Sequence, residues 1–314
     1  MLQLIIRRLL IMIPVLFLVS LMVFSMILLV PGDPAVTLAG ENATQEQIDA
    51  TRERLGLDDP VIVQYWRWVS NAVQGDLGTS LYSSQEVTEA ITQRLPATLS
   101  LAAGAIFLSL LIGLPAGVLS AIFRGRWPDR VLGLGAASAL AMPNYFIAML
   151  LILFFAIWNP WLPATSFVPF TEDPWEWMTH LILPWITLGL ASAAVITRQL
   201  RSSLIGVLGQ DYVRTARAKG LRARHVIMKH ASKNAAIPVV TVVGTQIAFA
   251  LGGSVIVEQV FGIPGVGQLA ITAVQKRDLP IIQGVVVMAT VLVLFCNLLV
   301  DLAYGYLNPK VRVR

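Results

Sequence analysis

Charge is what this sequence has least of. Asp, Glu, Lys and Arg make up 13% of its 314 residues, against about a quarter in an ordinary soluble domain. So few charges do not cover a globular surface, which all but excludes a soluble enzyme. With 56% apolar or aromatic residues, a disordered chain, a collagen and a disulfide scaffold are excluded as well. The single cysteine, Cys296, forms no internal disulfide and says nothing of redox compartment; inside an apolar run it reads as a small buried residue. There are three histidines. His225 and His230 are five apart, the wrong spacing for one face of an α-helix, so no metal site is expected. No Gly-x4-Gly-Lys-Ser/Thr phosphate loop, no His-Glu-x-x-His and no Gly-x-Ser-x-Gly turn occurs. ATP is therefore not bound in that way, and no catalytic residue is assigned. Repeats of 20–50 residues and low-complexity tracts are missing too. Asn42-Ala43-Thr44 matches a glycosylation triplet by pattern only.

What is present is apolar length. Six runs without a charged residue are long enough to cross a bilayer: 9–32, 95–123, 131–171, 177–197, 234–257 and 279–300. They predict an all-α, polytopic membrane protein forming one transmembrane domain over 1–314. The expected spans are 9–30, 97–123, 131–158, 179–199, 237–257 and 281–304. Asn159-Pro160 and Pro163 end the third helix near Trp158. Arg7 and Arg8 before the first run resemble a signal peptide, but the run is too long and closes on Pro31-Gly32-Asp33-Pro34, so an uncleaved anchor is expected. With the N-terminus inside, 17 of the 23 basic residues fall on cytoplasmic segments and 15 of the 18 acids fall outside. That asymmetry predicts both termini in the cytoplasm. The external segments are then 31–94, 159–178 and 258–280, the cytoplasmic loop is 200–236 and the tail is 305–314. Thr44 with Gln47 resembles a capping box opening a helix over 44–55.

The expected spans carry no charge near their centres, where an ion-coupled carrier keeps one. Asp301 and Arg198 sit at helix ends and read as interfacial. Uncharged polar residues do occur: Asn144, Ser192, Thr241, Thr245, Gln246, Gln283 and Asn297. They suit either a hydrated path or hydrogen bonds between packed helices, and the pattern leaves both open. Gly113-x3-Gly117 permits close helix contact.

The most informative stretch is 211–238, DYVRTARAKGLRARHVIMKHASKNAAIP. A short helix over 211–219 is stopped by Gly220. On the helix that follows, Val226, His230, Asn234 and Pro238 recur every four residues. Either this is a solvated basic loop, or it is a docking element for a cytoplasmic partner; its length and two-helix pattern argue for docking.

These residues resemble the cytoplasmic EAA loop of ABC importer permeases. In the dipeptide/oligopeptide (peptide/nickel) transport family the loop reads Tyr-Val-x-Thr-Ala-x-Ala-Lys-Gly-Leu, as at Tyr212–Leu221, with His230, Asn234 and Pro238 downstream. The general Glu-Ala-Ala-x3-Gly motif falls on Arg214, Thr215, Ala216 and Gly220, so its Glu and first Ala are replaced, as is usual in this branch. The likeness extends over the chain. Pro31–Pro34, LGLDDP at 55–60, GDLGTS at 75–80, RLPAT at 94–98, EQVFGIPGVG at 258–267 and RDLP at 277–280 resemble segments of the family's first-permease branch in the same order.

The resemblance implies a permease subunit in a bacterial or archaeal cytoplasmic membrane, not an enzyme. Its partners would be a second homologous permease, two cytoplasmic ABC ATPase domains and an extracytoplasmic substrate-binding protein, with lipid around it and no nucleic acid. ATP and Mg would be bound by the partners, leaving no cofactor in this chain. The ATPase-coupling loop would use Asp211, Tyr212, Arg214, Thr215, Ala216, Arg217, Lys219, Gly220, Leu221, His230, Asn234 and Pro238. Asn144, Ser192, Thr241, Thr245, Gln246 and Gln283 are candidates for lining the path. Asp76, Gly78, Glu258, Phe261, Gly262, Pro264 and Gly265 are candidates for binding-protein docking or the path mouth. Di- or oligopeptides are the expected cargo; nickel, glutathione and oligosaccharide importers share this permease type. A stand-alone carrier and an intramembrane enzyme are the remaining alternatives, the second lacking any paired catalytic constellation.

Overall fold

The computed structural model describes residues 2–29, 35–36 and 43–307. The helices are α1 (Leu2–Leu29), α2 (Gln45–Leu55), α3 (Val61–Val73), α4 (Val87–Ile122), α5 (Trp127–Ala141), α6 (Asn144–Ile152), α7 (Pro174–Leu208), α8 (Asp211–Ala218), α9 (Ser232–Phe261), α10 (Val266–Lys276) and α11 (Leu279–Leu307). π-turns extend α6 over Leu153–Trp158 and precede α9 over Val226–Ala231. Among the described residues the only β feature is an isolated Thr79–Glu86 bridge. Pro31–Pro34, Asn42 and most of the tail lie outside the described residues.

Five helices are long and apolar enough to cross a membrane, within α1, α4, α7, 223–261 and α11; α5 and α6 make a sixth if the pair counts as one span. That pair differs from the single helix expected over 131–158. It bends by 103° at Met142-Pro143. Proline has no N–H for the helix ladder and pushes the residue before it out of the α region; Met142 accordingly sits at φ −88°, ψ 127°. Several helices also run past their apolar cores. Asp173 caps α7 by accepting from the N–H groups of Trp175 and Glu176, with Pro174 at the first helical position, so the helix starts before its charge-free run. Likewise α4 begins at Val87, within the segment expected as external.

Two compact units divide the chain. In the unit built on 97–264, α4 and α7 meet along a seam of small residues. A Cβ at Gly189 would stand 2.7 Å from the Ala105 carbonyl oxygen, and one at Gly113 would stand 2.9 Å from that of Ala193. At Gly117 the neighbours are Leu200 and the Thr197 carbonyl. The Gly-x3-Gly pair thus serves close packing, as in membrane helix pairs generally. Leu101, Ala105, Ala148, Leu181, Leu188, Ala250, Val257 and Phe261 fill the core between α4, α6, α7 and α9.

The other unit holds residues 7–96 and 265–294. The expected capping box is present: Thr44 accepts from the Gln47 N–H and Gln47 from that of Thr44, and left-handed Gly56 closes α2. Tyr65 of α3 is buried edge-on against Phe17 and Phe24 of α1, its hydroxyl 2.8 Å from that of Ser20. Val87, Ile91, Leu269, Ala273, Ile281 and Val285 form the second core of this unit.

Candidate coupling helix and translocation cleft

Helix α8 spans two turns. Val213 and Ala216, three apart, are buried against Val207 and Leu208 at the end of α7 and against Val226. Asp211, Tyr212, Arg214, Thr215, Arg217 and Lys219 are exposed on the opposite side. The helix therefore lies on its apolar edge and presents a polar, largely basic face. It ends at Gly220, whose φ is +76°; the Gly220 N–H donates to Arg217 O and the Leu221 N–H to Ala216 O. Only glycine adopts that backbone without strain. Asn234 Nδ2 donates to the Tyr212 hydroxyl at 2.8 Å, tying α8 to the start of α9.

The downstream stripe differs from the expected one. Val226 is buried, but His230 is half-buried and Asn234 and Pro238 are exposed. The buried row is Val226, Ala231, Ala235 and Val239. Its first interval is five residues because the π-turn inserts one extra position. The same turn overturns the reading of the histidines: His225 and His230 come onto one side, ring centroids 5.8 Å apart. No cluster of three or more metal-binding side chains occurs among the described residues.

Of the six candidates for lining the path, Asn144, Ser192 and Gln246 meet. They line a cleft of about 390 Å³ with Leu140, Leu188, Phe249, Gly252 and Gly253. The break at Pro143 places Asn144 there as the first residue of α6. Ser192 and Gln246 are 6% and 9% exposed. Among the described residues none of these three side chains has a hydrogen-bond partner. Packing hydrogen bonds do not account for them. Thr241 and Thr245 do not line it; they belong to an exposed row of α9 at Asn234, Pro238, Thr241, Thr245, Phe249, Gly252, Ile256 and Gln259, of which Phe249 and Gly252 reach the cleft. The exposed row of α4 (Leu99, Ala103, Phe107, Leu111, Leu114) is wholly apolar, as a lipid-facing surface is. Gln283 is in the other unit, buried, with Nε2 directed to Val23 O at 3.4 Å.

The expected docking set divides. Asp76 is exposed and accepts the Gly78 N–H at 2.8 Å; Gly78 is exposed at φ +89°. Gly262 (φ +63°) caps α9 and is exposed, as is Pro264. Glu258, Phe261 and Gly265 are instead buried. Glu258 is fully enclosed, accepting from the Thr98 hydroxyl at 2.8 Å. Two motif segments of the same unit also meet: Asp278 accepts from the Ser80 hydroxyl and from the Leu81 N–H.

One constellation has no counterpart in the sequence reading. Asp129, 7% exposed in the first turn of α5, accepts from Arg201 Nε and Nη2, from the Ser120 hydroxyl and from the Gly125 N–H. It joins α4, the α4–α5 turn, α5 and α7. The available signal was an acid beside Pro128 in an otherwise basic segment.

Comparison with known proteins places the chain in a family. Residues 113–313 match the family described as binding-protein-dependent transport system inner membrane component, and residues 1–102 match its N-terminal region. Over all 314 residues, and the full length of each relative, the chain is 43% identical to the glutathione transport system permease protein GsiC of Escherichia coli K12 and 42% identical to that of Shigella flexneri serotype 5b. Among solved structures, a chain of the inward-facing MetNI methionine ABC transporter superposes at a TM-score of 0.57 and 16% identity, covering 69% of this chain and 95% of that one. That likeness speaks for the fold alone. The chain belongs to the binding-protein-dependent transport system inner membrane component family, as a multi-pass cytoplasmic-membrane permease subunit of an ABC importer of the peptide/nickel type, not an enzyme.

Proposed function

We propose that this chain, with a second homologous permease, forms the path for ATP-driven uptake of short peptides delivered by an extracytoplasmic binding protein. Two cytoplasmic ATPase domains bind ATP and Mg and drive it; the chain itself carries no cofactor. Both termini lie in the cytoplasm, a reading supported by the charge asymmetry. The observation that carries the proposal is where α8 sits. It rests on the end of α7 and beside the start of α9, and those two helices bring Ser192 and Gln246 to the cleft.

Closure of an ATPase pair is a rigid-body motion. A short helix socketed in each ATPase, with Tyr212, Arg214, Thr215, Arg217 and Lys219 facing it, receives that motion. Val213 and Ala216 pass it to Val207, Leu208 and Val226, so α7 and α9 rock together and the cleft changes shape. The full-length identity to relatives named for glutathione transport favours a glutathione-sized peptide over nickel or an oligosaccharide.

The test is reconstitution of the complete transporter in liposomes with its binding protein and labelled glutathione or dipeptide. Uptake that needs both ATP and the binding protein is expected. Uptake by this chain alone without ATP overturns the importer reading for a carrier. ATP-dependent uptake of nickel or oligosaccharide and not peptide overturns the cargo.

A further inference from the structure

The cleft between α5, α6, α7 and α9 has a composition that goes beyond its role as a candidate path. We infer that it is a recognition site for neutral amide groups, the peptide bonds of passing cargo, and that Gly252 sets the bulk it admits. The inference rests on the importer reading and specifies what that path recognises.

Three observations carry it. First, among the described residues no charged side chain and no His or Cys lines the cleft, whose other walls are apolar or glycine, Leu140, Leu188, Ala191, Val195 and Phe249 among them. A nickel-like cation finds no imidazole, thiolate or carboxylate there, and the charged ends of a peptide find no countercharge, so it is the uncharged groups of a cargo that the cleft can hold. Second, the polar groups present are two carboxamides and a hydroxyl, from Asn144, Gln246 and Ser192. Each is both donor and acceptor, which is the complement of a peptide N–H and C=O. None has a hydrogen-bond partner within the described protein, and although Ser192 and Gln246 are largely buried as residues, their polar atoms are not sealed off and open into the cleft. Polar atoms that face a cleft and are not engaged by the protein are free to bond cargo, with water taking their place when the cleft is empty. Neutral hydrogen bonds are also weak enough to release what they hold, which conduction requires.

Third, a Cβ built at Gly252 meets nothing within 4 Å, whereas one at Gly253 stands 3.3 Å from Leu188 and 4.0 Å from Asn144 Nδ2. Position 252 lines the cleft with the polar trio and has open space for a side chain. A side chain there narrows the cleft without touching the helix packing.

The experiment uses the whole transporter in liposomes with saturating binding protein, and reads ratios of cargo rather than bulk activity. In Gly252→Leu, the ratio of dipeptide to tripeptide uptake rises about ten-fold over wild type, the scale of steric discrimination in an apolar pocket. In Gln246→Glu, the ratio of cationic to anionic dipeptide uptake rises about five-fold, since a carboxylate now faces the cargo in a partly hydrated site. Wild-type ratios in both variants overturn the inference, because a residue that only packs the helices has no means to sort cargo by size or charge. Equal losses for all cargoes in both variants overturn it too. If wild-type complex imports no peptide at all, the importer reading itself has failed, a result visible before any variant is compared.

Discussion

Arg201 donates Nε and Nη2 to the two carboxylate oxygens of Asp129 at 2.6 and 2.8 Å, across 72 positions of sequence. The remaining acceptor capacity of that carboxylate is taken by the Ser120 hydroxyl and the Gly125 N–H. One buried acid thereby holds the ends of α4, α5 and α7 together. The guanidinium is 36% exposed while the carboxylate is 8% exposed, so the pair sits between the surface and buried cases. Asp129→Ala should lower stability by about 2 kcal/mol or more, because it strands the arginine and two further donors. Asp129→Ala combined with Arg201→Ala should cost clearly less than the sum of the single changes. Thermal unfolding in detergent measures both; strict additivity would show that the two side chains do not act as a pair.

The α4–α7 seam gives a sharper structural test. At Gly189 an added methyl meets the Ala105 carbonyl at 2.7 Å, a backbone atom that does not swing aside. Gly189→Ala should therefore cost about 1–3 kcal/mol through overpacking. Gly206 is on the same helix with nothing within 4 Å of the added atom. Gly206→Ala should be neutral or stabilising by up to about 1 kcal/mol, since alanine is the better helix former. The comparison is made by melting temperature in the same detergent, and equal effects at the two positions would refute the seam.

Gly220 separates backbone strain from crowding. Its φ is +76°, yet nothing lies within 4 Å of an added Cβ. Left-handed backbone costs an L-residue about 1–2 kcal/mol, asparagine least and β-branched residues most. Gly220→Val should insert normally but uncouple, with ATP hydrolysis continuing while uptake falls about ten-fold. Gly220→Asn should retain most of the uptake. ATPase and uptake assays on the same liposomes decide it; wild-type uptake in Gly220→Val would remove this turn from the coupling argument.

Helix existence was legible because charge-free runs of bilayer length have few other physical meanings. Local punctuation was legible where one residue dictates it, as at Gly220, at Thr44 with Gln47, and at the helix end before Asn159. Pro143 carries the same kind of signal, since the residue before a proline leaves the α region, but it lies inside a long apolar run whose length alone reads as one helix. The π-turn at Val226–Ala231 was beyond reach: a four-residue stripe and a five-residue one differ only by where a hydrogen-bond ladder slips. Long-range partners were hidden for another reason. Glu258 looked like a docking residue because its neighbours are Gly and Pro, but its burial depends on Thr98, 160 positions earlier. Nothing local to Asp129 or Arg201 signals that they meet, 72 positions apart.

Topology is the remaining expectation that a single labelling experiment decides. Lys219 is exposed beside the coupling helix, and Asp76 is exposed at a turn of the 31–94 segment. Cys296 is only half-buried on α11, so it is first replaced by alanine to give a silent background. With both termini in the cytoplasm, Asp76→Cys should react with an impermeant thiol reagent in intact cells. Lys219→Cys should react only after the membrane is opened. Labelling of Lys219→Cys once the membrane is opened and the ATPases are stripped from it separates membrane side from burial against a partner. The reverse pattern would place the α8 face outside the cell, where no ATPase could reach it, and would undo the coupling role together with the orientation.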